Sequence, residues 1–154
     1  MTTEIEEQFI TKLQTHYATI EGINTAYGYA NNPDTITNAV LPAVVFFPQN
    51  FAAERKTHRG LFLNTILIKA IVLVVPRTSA GAKLRYVENL VIPFLGRVRR
   101  KFQTVSVVDD LLSTAATSAW ITRGQYSAGG ILSWNSVDFV GCWFDHEFKI
   151  HGGY

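Results

Sequence analysis

The chain has 154 residues, of which 47% are apolar and 17% are charged, and its formal net charge is +2. This length predicts a single domain, residues 1–154, with a hydrophobic core, and so small a charge excess does not favour specific binding of nucleic acid. The lone cysteine, Cys142, excludes an intrachain disulfide and is typical of a protein made in a reducing compartment.

Two further classes are disfavoured by the N-terminus and by the apolar stretches. The first residues, MTTEIEEQF, are acidic and lack the basic-then-apolar pattern of a signal peptide. The most apolar stretch, residues 66–75, is far shorter than the roughly 20 residues of a membrane helix, so no membrane partner is expected. The charged fraction is below the roughly 25% of typical soluble domains, which hints that partners cover part of the surface.

The N-terminal segment is predicted to be an amphipathic helix. Thr3 and Glu6 have the spacing of a capping box, and Gly22 is the predicted stop at the C-terminal end. The apolar stripe of this helix consists of Ile5, Phe9, Leu13, Tyr17 and Ile20.

A short strand is predicted at residues 42–48, with the sequence PAVVFFP. Because Pro42 and Pro48 cannot donate to a ladder, we expect the strand to be short or to lie near the edge of a sheet. The polar segment that follows, residues 49–60, is predicted to be a long charged loop that docks on a partner, since long loops in compact domains are often functional.

Residues 61–75 are predicted to form a long strand that pairs with the short one as an antiparallel hairpin. The second half of this strand, residues 66–75, is apolar on both faces except at Lys69. One face should meet the helices. The other should meet something else, such as another subunit, so we expect the protein to self-associate through its sheet.

A second helix is predicted at residues 79–102, with a basic end that suits the helix dipole. Pro93 lies inside its pattern, so a kink or a break is expected there. Residues 107–112 are interpreted as a short turn or strand. The apolar face of the helix comprises Leu84, Val87, Val91, Phe94, Leu95, Val98 and Phe102.

The C-terminal third is predicted to be β-structure, with strands at residues 119–126, 131–134 and 137–151. The last strand alternates clearly, and a change of phase predicts a bulge near Val140 and Gly141. The predicted class is therefore α+β, a mostly antiparallel β-sheet with helices packed on one face, in the order α-β-β-α-β-β.

No catalytic motif is recognisable in the sequence, and we expect no enzymatic activity and no cofactor. Cys142 and His146 fall on the apolar side of the last strand, which favours a core cysteine and a core histidine bonded to a backbone group. Asp109 and Asp110 are adjacent acids that are interpreted as solvated or capping residues in a loop.

A metal site is also not expected. The candidate ligands alternate along one strand, and neighbours in a strand point to opposite faces, so they cannot converge on one ion. The glycine-rich segments lack the spacing and the lysine of a phosphate-binding loop. The candidate ligands are Asp145, His146, Glu147 and His151.

Charged and aromatic residues supply the candidate interface. Two basic clusters, at residues 55–59 and 97–101, are compatible with a solvated surface, with contacts to phosphate, or with docking on a protein through complementary charge. A tryptophan on the polar face of the last strand suits a protein interface or a contact with a loop of its own chain. The selected interface residues are Arg55, Lys56, Arg59, Lys69 and Trp143.

The order of these elements resembles the tail-terminator family of long-tailed bacteriophages. Members of that family run from an N-terminal amphipathic helix to a proline-bounded strand, here LPAVVFF at residues 41–47. A charged loop and a long strand follow, then a helix at residues 82–102 and a closing strand, here VDFVGCWFDHEFKI at residues 137–150. The resemblance covers nearly the whole chain and lies in order and pattern.

The resemblance implies a structural virion protein without catalysis or cofactor. Terminators form a ring, here expected to be a homo-hexamer, that caps the tail tube protein and presents a surface to the head-completion or connector protein. DNA passes through the lumen without specific binding. The implied location is the neck of the virion, after assembly in the host cytoplasm.

Two rival interpretations stay open at this stage. The first is another neck, head–tail adaptor or baseplate subunit of the same kind of virion. The second is a small ligand-binding or enzymatic α+β domain, which predicts a deep pocket with convergent polar groups.

Overall fold

The computed structural model describes residues 4–28, 31–56, 61–76, 84–113, 116–125 and 131–153. Its helices are α1 (Ile5–Tyr17), α2 (Leu84–Phe102) and α3 (Val105–Leu112), and a 3-10 turn spans Asn38–Val40. Its strands are β1 (Thr25–Ala26), β2 (Ala43–Arg55), β3 (Leu61–Pro76), β4 (Ala116–Gln125), β5 (Ile131–Trp134) and β6 (Val137–Gly153).

The six strands form one sheet in the order β1-β2-β3-β6-β4, with β5 paired to the start of β6. All pairings are antiparallel except that of β1 with β2. The buried side chains of α1, α2 and α3 join one core cluster with one face of the sheet. The predicted α+β class, with helices on one face of a mostly antiparallel sheet, is confirmed. The observed order adds β1 and α3 to the predicted elements, and the short strand predicted at residues 131–134 is present as β5.

The alternation of β6 determines which of its residues enter this core. Phe144 and Phe148 are buried on the helix side, in the same phase as Cys142 and His146. Phe148 stacks on Phe9 of α1 with ring centroids 3.9 Å apart, a contact that adds on the order of 1 kcal/mol beyond area burial. The period-2 pattern of the last strand therefore identified the core face correctly.

A bulge interrupts the pairing of β3 with β6 at the position where the sequence predicts one. Leu73 pairs with Gly141 and Val75 with Val140, so the extra residue, Val74, belongs to β3 and not to β6. A Cβ atom on Gly141 would overlap the carbonyl oxygen of Val72 across the ladder. Only glycine allows the two backbones to approach this closely.

The first helix ends earlier than predicted. It stops at Tyr17, and Gly22 lies in the following turn with a φ of 91°, in the left-handed region that glycine tolerates. The N-cap residue is Glu4, which makes no side-chain capping bond, and Thr3 of the predicted capping box lies outside the described residues. Ile20 is buried although it lies beyond the helix, so the apolar stripe was predicted correctly and the boundary was not.

The predicted loop at residues 49–60 is wrong for most of its length. β2 continues through Pro48 to Arg55, and the pairs from Asn50–Leu67 to Arg55–Phe62 extend the hairpin. The register shifts next to Pro48, where a residue without an N–H is tolerated at a bulge. Residues 48–55 are exposed at every position, so this part of the strand has no buried face that a sequence pattern could reveal.

The break expected at Pro93 and the turn or strand expected at residues 107–112 are both absent. α2 runs through Pro93 without a break, because Pro93 lies on an exposed side of the helix, where water can satisfy the freed carbonyl. The segment predicted as a turn or strand is the helix α3, whose Val107 and Leu111 are one turn apart and both buried. Residues 79–83 of the predicted helix lie outside the described residues.

The chain itself covers part of the second face of the sheet. Val45, Leu73 and Phe139 form a small second cluster with Ile36, and half-buried residues of β5 pack against it. The indole N–H of Trp134 donates to the carbonyl of Pro33 at 3.0 Å, which ties β5 to the segment before β2. The expectation that this face of β3 needs another subunit is therefore wrong for the half near Leu73.

A buried hydrogen bond joins α1 to the sheet. Tyr17 and His146 are almost fully buried, and the Tyr17 hydroxyl lies 2.5 Å from His146 Nε2. Burial lowers the pKa of His146 to about 3, and burial, with a contribution from Cys142, raises the pKa of Tyr17. The hydroxyl is therefore protonated and the imidazole neutral, and the direction of their hydrogen bond follows from the imidazole tautomer. The predicted core histidine is confirmed, but its partner is a side chain and not a backbone group.

We predict that Tyr17→Phe lowers the free energy of unfolding by about 1–3 kcal/mol, because His146 Nε2 would stay buried without its hydrogen-bond partner. Tyr27→Phe is the matched control, since Tyr27 is only half-buried and should change by less than about 0.5 kcal/mol. Urea unfolding followed by circular dichroism measures both. Equal stability of the two variants would contradict the proposed importance of the Tyr17–His146 bond.

Candidate protein-binding surface

A row of charged side chains crosses the face of the sheet that lies opposite the helices. The row consists of Lys69 of β3, which pairs with Asp145 of β6, and of Arg123 of β4, which pairs with the same Asp145. Phe47 of β2 pairs with Lys69 at the end of the row. Directly paired residues in a sheet point to the same side. The carboxylate of Asp145 therefore lies between two cations.

This row forms the floor of a cleft of about 630 Å³ on the open face. The Nζ atom of Lys69 lies 4.1 Å from the centre of the Trp143 ring, a cation–π contact. Two of the predicted interface residues, Lys69 and Trp143, are thus brought together, and Lys69 covers part of the half-buried indole. The cleft is lined by Gln49, Asn50, Leu67, Lys69, Thr122, Arg123, Trp143 and Asp145.

Asp145 is the most unusual residue of the cleft. It is only 9% exposed, and its Oδ1 atom has no hydrogen-bond partner among the described residues. Burial raises the pKa of the Asp145 carboxyl, while the charges of Lys69 and Arg123 oppose the rise. A buried acceptor without a donor costs free energy. The sequence marks Asp145 only as a polar residue of the last strand and a candidate metal ligand, because alternation alone shows neither its burial nor its missing partner.

The outer part of β2 is a second exposed surface. Residues 48–55, here called the arm, are exposed at every position, and Phe51 is 70% exposed although its paired residue Ile66 is buried. Glu54 and Lys56 form an exposed ion pair at 3.0 Å. The predicted interface residue Arg55 ends the arm, and Arg59 lies outside the described residues.

The predicted interface residues do not form one cluster. Arg55 and Lys56 lie at the end of the arm, about 25 Å along β2 from the row of Lys69, taking about 3.3 Å per residue. The sequence pattern could identify each group as polar and exposed, but the distance between them depends on β2 continuing as a strand through residues 49–55.

A third surface is a groove of about 750 Å³ between α2 and β4 on the helix side of the sheet. Its walls are largely apolar, with Ile92 and Leu95 from α2, and Ile121 from β4. Ile92 is 51% exposed. Arg99, exposed at the end of α2, gives the mouth of the groove a positive charge.

Two potentially reactive side chains, Cys142 and His146, lie in the core. Cys142 is fully buried, as predicted, and burial raises the pKa of its thiol to about 12, so it holds little thiolate at neutral pH. No group of three or more metal-ligating side chains occurs within the described ranges. No helix in the part of the chain that the structure describes is long and apolar enough to cross a membrane.

The paired acids Asp109 and Asp110 are not in a loop, and the expectation that they are solvated or capping residues is wrong for Asp110. Both lie in α3. One oxygen of Asp110 lies 3.0 Å from Lys12 Nζ and the other lies 2.6 Å from His16 Nε2, both on α1. Lys12 and His16 are one helical turn apart on α1, so both reach the same carboxylate. Asp110 therefore joins α3 to α1.

Comparison with known proteins adds no relative: no protein-family model matches this chain, and no curated protein matches it at a significant level.

Asp110→Asn should lower the free energy of unfolding near neutral pH by less than about 1 kcal/mol, since the side chain is 45% exposed and solvent screens the pair. Hydrogen bonds from Lys12 and then from His16 lower the pKa of Asp110 below its ordinary value of 3.8. This stabilisation is therefore present above that value and is lost as the pH falls through the lower pKa of the folded state.

Unfolding of wild type and Asp110→Asn across the acid range measures this difference, with exposed Asp109→Asn as the control. The two proteins should converge in strong acid. A difference that persists there would show that Asp110 acts through packing and not through charge.

Asp145→Asn should stabilise the protein near neutral pH by up to about 1 kcal/mol, because the amide removes a buried charge to whose Oδ1 no described residue donates. The raised pKa means that the folded state binds more protons than the unfolded state above the ordinary value of 3.8. The gain should therefore disappear in acid, where the carboxyl is protonated in both states.

Thermal melts of Asp145→Asn and of the exposed control Asp34→Asn, near neutral pH and in acid, measure this effect. Destabilisation of Asp145→Asn at neutral pH would mean that attraction to Lys69 and Arg123 outweighs the cost of burial.

Proposed function

We propose that this protein is a structural, non-catalytic subunit that self-associates into a ring and serves as a tail terminator of a long-tailed bacteriophage. The observation that carries the proposal is the arm. A continuous run of exposed strand with an aromatic residue 70% exposed is costly to leave in water. Such a strand is suited to being covered by another protein in an assembly.

The remaining surfaces support binding of proteins more than catalysis. The cleft on the open face combines the indole of Trp143 with opposite charges from Lys69, Arg123 and Asp145, a composition that suits contact with a polar protein surface. The only cysteine is fully buried, and His146 is bonded to Tyr17 in the core. These groups are therefore poorly placed for nucleophilic or acid–base chemistry on a substrate.

The resemblance in element order supplies the specific role. A helix, a strand preceded by a proline, a long strand, a helix and a long closing strand follow each other here as in tail terminators. In that role a ring of subunits caps the tail tube protein, presents its other side to the head-completion or connector protein, and lets DNA pass through its lumen. The protein would reside in the neck of the virion.

The purified chain is expected to form a closed ring of one size, measured by light scattering after gel filtration and by negative-stain electron microscopy. In the terminator role the ring should also cap one end of tail tubes assembled from the tube protein of the same phage, and should stop their growth. Tube length with and without the chain measures this.

Three outcomes separate the alternatives. A ring that binds tube ends and limits their length supports the terminator. A ring that ignores tubes but joins a portal or baseplate complex supports another virion subunit. A strict monomer at high concentration, also in the presence of tubes, would contradict the ring.

A further inference from the structure

We infer that the arm of one copy adds to the β4 edge of the next copy and inserts Phe51 into the groove between α2 and β4. This inference rests on the proposed self-association and names the surfaces that carry it. The occupant of the groove is therefore a second copy of this chain.

Among the described residues, both ends of the sheet have strand edges without a partner strand. β1 pairs only with the first two residues of β2, Ala43 and Val44, which leaves the outer edge of the arm without a neighbouring strand among the described residues. β4 ends the sheet on the other side and pairs only with β6 in the same part of the chain. Unpaired strand edges are templates for pairing with another chain.

The strand directions allow this pairing to continue the sheet. β2 is antiparallel to β3, β3 to β6, and β6 to β4, so β2 and β4 run in opposite directions. If the next copy has the same orientation, its β2 meets β4 as an antiparallel neighbour. The helices of both copies then lie on the same side of a continuous sheet. A contact of this head-to-tail kind closes into a ring or grows as an open filament.

Phe51 of the arm and the groove beside β4 lie on the same side of the sheet. Phe51 pairs with Ile66, which is buried on the helix side, so Phe51 points to the helix side as well. In the next copy this side of the β4 edge carries the groove with Ile92, Leu95 and Ile121. A phenylalanine that is 70% exposed in one copy therefore meets an apolar groove in the other.

One register between the arm and β4 also gives the side chains next to Phe51 suitable neighbours. With Phe51 opposite Ile121, Ala52 lies opposite Trp120, which is 55% exposed. The small side chain leaves room for the indole on the open face. Glu54 then lies opposite Ser118, which itself pairs with Lys149, so a carboxylate of one copy approaches an ammonium group of the other.

The first test is Phe51→Asp, with Val105→Asp as the matched control. Both wild-type side chains are exposed, at 70% and 73%, but Val105 lies on α3, in neither of the two strands of the proposed contact, and does not line the groove. Phe51→Asp should weaken self-association more than about 10-fold, as loss of a central aromatic contact does. Val105→Asp should assemble like wild type. Unchanged melting temperatures would show that both variants fold.

The second test is an intermolecular disulfide. Glu54→Cys protein is mixed with Ser118→Cys protein under mild oxidation, and the pair should give a covalent dimer, since the two Cβ atoms would lie about 5 Å apart across the strands. Glu54→Cys mixed with Val105→Cys should give none. The native Cys142 is fully buried and should not react.

The outcomes distinguish this inference from the proposed ring. A ring that Phe51→Asp disrupts, with the specific disulfide, supports both. An open filament with the same two properties supports the arm contact and contradicts the ring. A ring that survives Phe51→Asp and gives no disulfide overturns the arm contact alone. A strictly monomeric wild type without the disulfide overturns both.

Discussion

The pairing of β3 with β6 is the constraint on which the rest of the structure depends. These are the two longest strands, with 16 and 17 residues, and they lie at the centre of the sheet. A one-residue slip between them would exchange their faces and place Phe144 and Phe148 in solvent. In the observed register, Gly141 allows the close approach of the Val72 carbonyl, and Val74 is the extra residue of the bulge.

The two faces of the sheet differ in the hydrogen bonds of their buried polar side chains. On the helix side, the buried Tyr17 and His146 satisfy each other, and Asp110 joins α1 to α3 at the edge of the same core. On the open side, the buried Asp145 has an oxygen for which the described residues supply no hydrogen-bond partner. Unsatisfied polar groups are rare in folded proteins and are often explained by a functional role. This asymmetry makes the open face, and not the core, the place where a partner can add hydrogen bonds.

The arm connects the fold to assembly. Its strand pairs with β3 from Asn50 to Arg55, yet no strand among the described residues pairs with its outer edge. The same sheet ends at β4 with the opposite strand direction and with a groove on the matching side. Complementary edges at the two ends of one sheet give a physical basis for head-to-tail association.

Local pattern in the sequence determined the class of the fold and most of its core. Period-2 alternation identified the buried face of β6 and the core position of Cys142, and period-3.6 spacing identified α1 and most of α2, because both periods follow from which side of an element is apolar. Lys69 was recognised as a candidate interface residue because it is a charged residue in an apolar stretch. Trp143 was recognised because it lies on the polar face of the last strand. These sequence patterns failed to predict two elements. Residues 49–55 form a strand without an apolar face, and α3 is too short to show a clear period.

Only the tertiary structure decided which of these residues meet. The Tyr17–His146 bond and the two contacts of Asp110 join residues about a hundred or more positions apart, and no local pattern encodes such pairings. The same holds for the charged row of Lys69, Asp145 and Arg123, which exists because three strands are adjacent in one register. Side-chain period depends on the local chain, whereas contact depends on strand order and register, and these are set by the packing of the whole sheet against its helices.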